Sequence, residues 1–263
     1  AISGTISLTG NARINVDAGT LSLTSTGTSL SLVANALNAG VASGTSMYIS
    51  GAITGSGIFT KDSTGTLYVS GNNTTTGAID IYKGVLNIQG NANALGSNSG
   101  STTIYSGAAL QVQGGVTFAD EPIYITGTGI NSDGAIRNIT GSNTLPGIIS
   151  LTGAARINVD AGTLSLTRSI ALSTYSLTAG VASGTSMYVS AALTGDGDLT
   201  KDNTGTLFLS GTSSTYDGVV NVSTGVVNVQ SNSGLGTATG NTIVGSTATL
   251  QVQNSITSLV ITW

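Results

Sequence analysis

The sequence predicts an all-β chain, specifically a right-handed parallel β-helix built from two tandem modules of roughly 140 residues each. Three observations predict it. The first is a long internal repeat: ISLTGNARINVDAGTLSLT from Ile6 returns as ISLTGAARINVDAGTLSLT from Ile149, an offset of 143. AGVASGTSMYIS from Ala39 then returns as AGVASGTSMYVS from Ala179, and LQVQ from Leu110 returns from Leu250, both at an offset of 140. Repeats of this length point to stacked units that bury a continuous core only through their neighbours. The second is a series of short apolar stretches alternating with period two and bounded by Gly, Asn, Asp or Ser. The third is their spacing, since Leu67, Leu86 and Leu110 follow one another at steps of roughly 20 to 25 residues. That is long for hairpin-linked strands of a sandwich and natural for successive coils of a solenoid.

Taken in order, the expected strands are TLSLT from Thr20, SMYIS from Ser46, TLYVS from Thr66, VLNIQ from Val85, ALQVQ from Ala109 and PIYIT from Pro122, and most recur in the second copy. Val, Ile, Leu, Thr and Tyr at alternate positions suit a half-buried pleated surface. No segment sustains a helical period. Only two prolines interrupt the chain, so backbone ladders can run unbroken. At about 20 residues per coil the chain makes roughly thirteen coils, a rod on the order of 60 Å long. The modules are read as residues 1–133 and 134–263, the second continuous with the first.

Composition narrows the function. Of 263 residues 7% are charged, against roughly 25% in an ordinary soluble domain, and Gly, Ser, Thr and Asn fill the vacated positions. Mean hydropathy of +0.30 with a net charge of −4 argues against disorder. The absence of Cys and His removes disulfides, thiolate metal sites and the commonest general base near neutral pH. Seven dispersed basic residues provide no footprint for nucleic acid. No apolar run reaches a membrane span, and AISGTISLTG at the start lacks the basic and apolar regions of a signal peptide. Ala1 rather than Met stands first, so a processed or excised product is expected.

The segment GSGIFTKDSTGTLYVSGNNTTTGAIDIYKGVLNIQGNANALGS, Gly55 to Ser97, resembles the passenger-associated transport repeat of bacterial autotransporters. GDGDLTKDNTGTLFLSGTSSTYDGVVNVSTGVVNVQSNSGLGT, Gly195 to Thr237, resembles it too, and Gly134 to Thr167 is similar to the segments that link such repeats. The resemblance implies a secreted right-handed β-helix displayed outside a Gram-negative cell as an adhesin or structural stalk. It departs from a complete autotransporter in showing no C-terminal outer-membrane barrel pattern.

Charges that recur in both copies are expected to maintain the coil. Lys61-Asp62 and Lys201-Asp202 are read as solvated turns with local ion pairs, and Arg13 with Asp17, matched by Arg156 with Asp160, as a strand-to-turn device. Residues found in one copy are the better candidates for chemistry. Adjacent Asp120 and Glu121 face opposite sides of a strand and do not converge; Asp196 and Asp198 share a face and are where a calcium contact would fall. Polysaccharide lyase or hydrolase chemistry is kept as a remote alternative, and the chain is read as a non-enzyme without cofactors. Among the tyrosines, Tyr82 and Tyr105 are the expected glycan contacts, set against ordinary capping of a β-helix surface.

The leading functional expectation is a surface fibre subunit that associates end to end, with a monomeric adhesin or glycan-binding passenger as the alternative. Aligning Ile261-Thr262 with Ile125-Thr126 puts Trp263 at the Gly127 position, while Ala1 corresponds to Thr144. Positions 128–143 between them make about one coil, so Ala1, Ile2, Ile261 and Trp263 are the expected subunit junction.

Overall fold

The computed structural model describes residues 1–254 and 256. Apart from one 3-10 turn at Ile130–Ser132, the regular structure consists of short strands, and their ladder pairs are all parallel. The strands wind into a β-solenoid of about eleven turns. Leu67, Leu86 and Leu110 are direct partners on successive coils, as their spacing predicts. The expected thirteen coils become eleven because coils average more than about 20 residues. The step from Leu67 to its partner Leu86 is short, but the step from Leu110 to its partner Ile136 is considerably longer.

Three ladders run along the solenoid. One carries Ala12–Val16, Leu37–Val41, Phe59–Lys61, Ile79–Ile81, Thr102–Ile104, Ile123–Gly127 and the start of Ile149–Val159. The second passes from Thr20–Leu23 through Ser46–Ile49, Thr66–Val69, Gly84–Gln89, Ala108–Gln113 and Ile136–Thr140 to the end of Ile149–Val159. The third starts with Ile6–Ser7, Thr28–Ser31 and Ala52–Thr54. It crosses an irregular stretch held by bonds such as Thr74 N–H to the Ile53 carbonyl (2.9 Å), and resumes at Ser142–Leu145.

The two copies lie on different faces. From Ala12–Val16 the first ladder climbs six rungs to Ile149, and the second copy's counterpart, Ala155–Val159, follows on the second ladder. Likewise TLSL at Thr20–Leu23 sits on the second ladder and TLSL at Thr163–Leu166 on the third. One repeat thus advances six coils and about a third of a turn. The drop in offset from 143 to 140 is also local: Ser25–Thr28 in the first copy is replaced by Arg168 alone in the second.

Inward positions form columns, because parallel in-register pairing sets each side chain on its equivalent in the next coil. Ile14, Ala39, Lys61, Ile81, Ile104, Ile125 and Leu151 form one such column. Another runs Leu67, Leu86, Leu110, Ile136, Ile157, Ala179, Lys201, Val222. A lysine therefore occupies a core position in each copy, and both are sealed from solvent. This corrects the expectation of solvated turns. Alternation from Phe59 or Leu199 places the lysine inward, and the small Ala39 or Ala179 beneath leaves room for its stem. The Lys61 ammonium donates to the carbonyls of Ser63 and Lys83, and that of Lys201 to Asp202 (2.7 Å), Asn203 (2.7 Å) and Thr224. These carbonyls belong to turns of two neighbouring coils, so each lysine ties one turn to the next from inside.

Burial pushes both lysines down from the usual 10.5 to about 8. Between about pH 8 and 10.5 the unfolded chain then binds more protons than the folded one, so stability increases with pH across that window. Chemical denaturation at pH 8, 9 and 10 is expected to show this rise, and the Lys61→Met, Lys201→Met double variant to lose most of it.

Candidate functional surface

The recurring charges are joined across coils rather than along the strand. Arg13 forms a two-pronged ion pair with Asp62, its second nitrogen 2.9 Å from Oδ1, and donates to Asn15 at 2.7 Å. In the second copy Arg156 grips Asp202 at 2.6 and 2.9 Å and donates to Asn158 at 3.0 Å. The expected pairings with Asp17 and Asp160 are corrected: each arginine spans two coils to the aspartate that follows the buried lysine. The span requires a glycine between. A Cβ on Gly180 would lie 2.0 Å from Asn158 Oδ1 and 2.2 Å from an Arg156 nitrogen, and Gly40 stands in the same relation to Asn15 and Arg13. Hydrogen bonds from Arg13 and Ser63 keep Asp62 below the usual carboxylate range although burial opposes them. Asp160 pairs instead with Arg137, which also reaches Asp133 at 3.3 Å.

Asp120 and Glu121 diverge as expected. Asp120 is outward and pairs with Arg168, the residue that replaces the Ser25–Thr28 turn. Glu121 is buried, accepts a hydrogen bond from the Thr102 hydroxyl, and is pushed up to about 7 by burial. Asp196 is exposed, whereas Asp198 Oδ1 accepts the Val219 amide at 2.8 Å on the next coil. Among the described residues no group of three or more acidic, Cys or His side chains could hold a metal. Ala1 and Ile2 lie exposed at the first coil; Ile261 and Trp263 lie outside the described residues.

Aromatic residues stack between coils. Tyr82 and Tyr105 are 4.1 Å apart at 12°, Tyr48 and Tyr68 4.6 Å at 5°, and Tyr188 and Phe208 4.4 Å at 3°. Hydrogen bonding to Tyr82 raises Tyr105 to about 12. Tyr82, Tyr48 and Tyr188 stay more than a third exposed, so each pair offers a flat apolar platform. Tyr216 is instead fully buried, and its hydroxyl has no partner among the described residues.

One platform adjoins a cleft that sequence patterning did not reveal. A surface groove of about 540 Å³ is lined by Thr26, Thr28, Ser50, Ser70, Asn72 and Thr74, with Gly27, Gly51, Ala52, Thr54 and Asn91 completing it. None of these side chains is charged or aromatic. Ser50 and Ser70 lie two positions beyond Tyr48 and Tyr68, just past the ends of their strands, so the stacked pair neighbours the groove along the chain without lining it. One rim is the Ser25–Thr28 turn absent from the second copy. Hydroxyls and amides beside an aromatic face suit a neutral polyhydroxylated ligand, with rings for the apolar sugar faces and side-chain donors and acceptors for the hydroxyls.

A family model described as the passenger-associated transport repeat matches residues 59–88 and 199–229, so that repeat is present twice. Each match contains the buried lysine, the aspartate of the cross-coil ion pair and the strands that follow on that coil and the next. The chain is also 30% identical over 183 residues, 70% of its length, to the Adhesin BmaC autotransporter of Brucella suis biovar 1 (strain 1330), and spans 4% of that protein. No solved structure matches the chain.

Gly180→Ala is expected to lose the Arg156 ion pair and cost about 1 to 3 kcal/mol. Combining it with Arg156→Ala should add little further loss; full additivity in urea denaturation would show that the methyl acts elsewhere. Because folded Glu121 holds its proton to about pH 7 and the unfolded carboxylate only to about 4.5, stability falls as pH rises between those values. Glu121→Gln is expected to flatten that slope in thermal melts between pH 4.5 and 7.

Proposed function

We propose, from two passenger-associated transport repeats on one continuous solenoid, that the chain is a rod segment of an adhesin passenger at a Gram-negative cell surface. The rod carries the first-copy cleft beside Tyr48 and Tyr68 as its glycan-contacting surface. The main support is that this cleft exists where the copies differ. The shared lysines and the Arg13–Asp62 and Arg156–Asp202 pairs are taken up inside the coil or between coils, whereas the Ser25–Thr28 rim is missing from the second copy's sequence. Of the one-copy acids singled out by the sequence, Glu121 is buried, Asp120 is engaged by Arg168 and Asp198 is bound to backbone, while Asp196 is exposed on the surface. Tyr82 and Tyr105 form a second platform, outside the lining of that groove.

The end-to-end fibre is the second reading. It is favoured by the uninterrupted stacking of the two copies, the first ladder passing from Ala12–Val16 to Ile149–Val159 through parallel pairs without a break. On this reading residues 1–133 and 134–263 are interchangeable modules of a longer rod, each rotated by one face from the last.

A glycan array followed by titration calorimetry tests the first reading. Tyr48→Ala with Tyr68→Ala, and separately replacement of Ser25–Thr28 by a single arginine, are expected to weaken binding at least about tenfold. Tyr188→Ala serves as the control on the second copy. Binding unchanged by both cleft variants but lost with Tyr82→Ala would move the contact to the other platform.

A further inference from the structure

The neutral cleft of the first copy continues along the rod. A second surface groove of about 320 Å³ is lined by Thr74, Asn93, Ser97, Asn98, Ala119 and Asp120, with buried Asn73 as its floor. Thr74 lines both grooves, so the two meet at one side chain. Backbone bonds set the combined lining on successive coils. The Ala52 amide donates to the Gly27 carbonyl at 2.8 Å, the Thr74 amide to Ile53 at 2.9 Å, the Asn73 amide to Asn93 at 3.3 Å and the Ala119 amide to Ala92 at 2.8 Å. The track therefore passes from Thr26 through Ala52, Thr74 and Asn93 to Ala119, a span on the order of 20 Å along the axis.

Its middle is built before any ligand arrives. Asn73 Oδ1 accepts the Ile53 amide at 2.7 Å, its Nδ2 donates to the Ala94 carbonyl at 2.7 Å, and Asn93 donates to Asn72 at 2.8 Å. A fixed floor lowers the ordering cost of binding. The second copy lacks the same surface: Ala238 stands in place of Asn98, and Thr237, in place of Ser97, is bonded to Asp217.

Before Asp120 the lining consists of hydroxyls, amides and small residues, and Asp120 at the far end is neutralised by Arg168. Such a track fits a chain better than a single sugar. One coil rises about 4.8 Å, close to the length of one pyranose unit in an extended chain, so successive sugars meet successive rows of donors and acceptors. A net charge of −4 and the uncharged lining disfavour a polyanion. We propose that the joined grooves bind a linear, uncharged polysaccharide laid parallel to the rod axis, with about four or five sugars in contact. The proposal rests on the glycan reading of the first-copy cleft and adds the length, direction and charge of the ligand.

Titration calorimetry with β-1,4-linked glucose and N-acetylglucosamine oligomers of two to six units tests it. Affinity for one of the two series is expected to rise at least about tenfold from dimer to pentamer and then to level off. Asn98→Trp, at an exposed turn, blocks the second groove; it should bring the pentamer down to the dimer's affinity and leave the dimer unchanged. Replacing Ser25–Thr28 by arginine should weaken every length. Equal affinity for dimer and pentamer, both lost on that replacement, would keep the cleft reading and overturn the extended track. Length dependence untouched by Asn98→Trp would overturn it as well, as would tighter binding of an oligogalacturonate of the same length or binding of neither neutral series.

Discussion

In-register parallel pairing between successive coils governs this molecule. Once backbone amides on one coil bond to carbonyls on the next, each side chain must lie on its equivalent about 4.8 Å away, inside or out. Interior columns of Leu, Ile and Val follow, and so do the external stacks of aromatic rings and the amide pairs Asn87–Gln111 and Asn228–Gln251. Stacking of like on like rewards polar and aromatic residues but penalises adjacent like charges. With only 7% charged residues, no charge in the described ladder pairs faces another of the same sign on the next coil.

The buried lysine and the Arg–Asp pair answer the same need. A coil with wide turns has carbonyls pointing toward its corners, and those carbonyls must find donors. Lys61 and Lys201 supply them from within. The aspartate next to each lysine points outward and is gripped by an arginine from two coils earlier, across a glycine. Three coils are thereby tied at one corner, which explains why R-x-N, A-G-V and T-K-D recur together while their order in sequence gives no hint that they meet.

The advance of about a third of a turn per repeat bears on display. Surface features that recur with the module, such as Tyr48–Tyr68 and Tyr188–Phe208, face different directions from the same rod. A rod of several such modules would present its contacts around its circumference instead of along a single line. The cleft beside Tyr48 breaks that repetition, and its rim arises from the Ser25–Thr28 turn that one copy has and the other lacks.

Alternation and spacing alone establish the strands, their inward and outward faces, and the solenoid, because period-two patterning and the Leu67–Leu86–Leu110 steps are local consequences of a coil. The same alternation held the signal for the buried lysines: counting from Phe59 to Lys61 and from Leu199 to Lys201 puts them inside, and only the expectation that a charge faces water hid it. Which residues meet between coils is settled only in the folded chain. Coil length varies with the turns, from the short Leu67–Leu86 step to the long Leu110–Ile136 step, so the partner of Arg13 is fixed by the summed length of two turns. It proves to be Asp62, not the nearer Asp17. The same variation sets the face on which each copy emerges, buries Tyr216, and opens a cleft at one copy's extra turn. Pairing register is a property of accumulated turn geometry, and no local pattern records it.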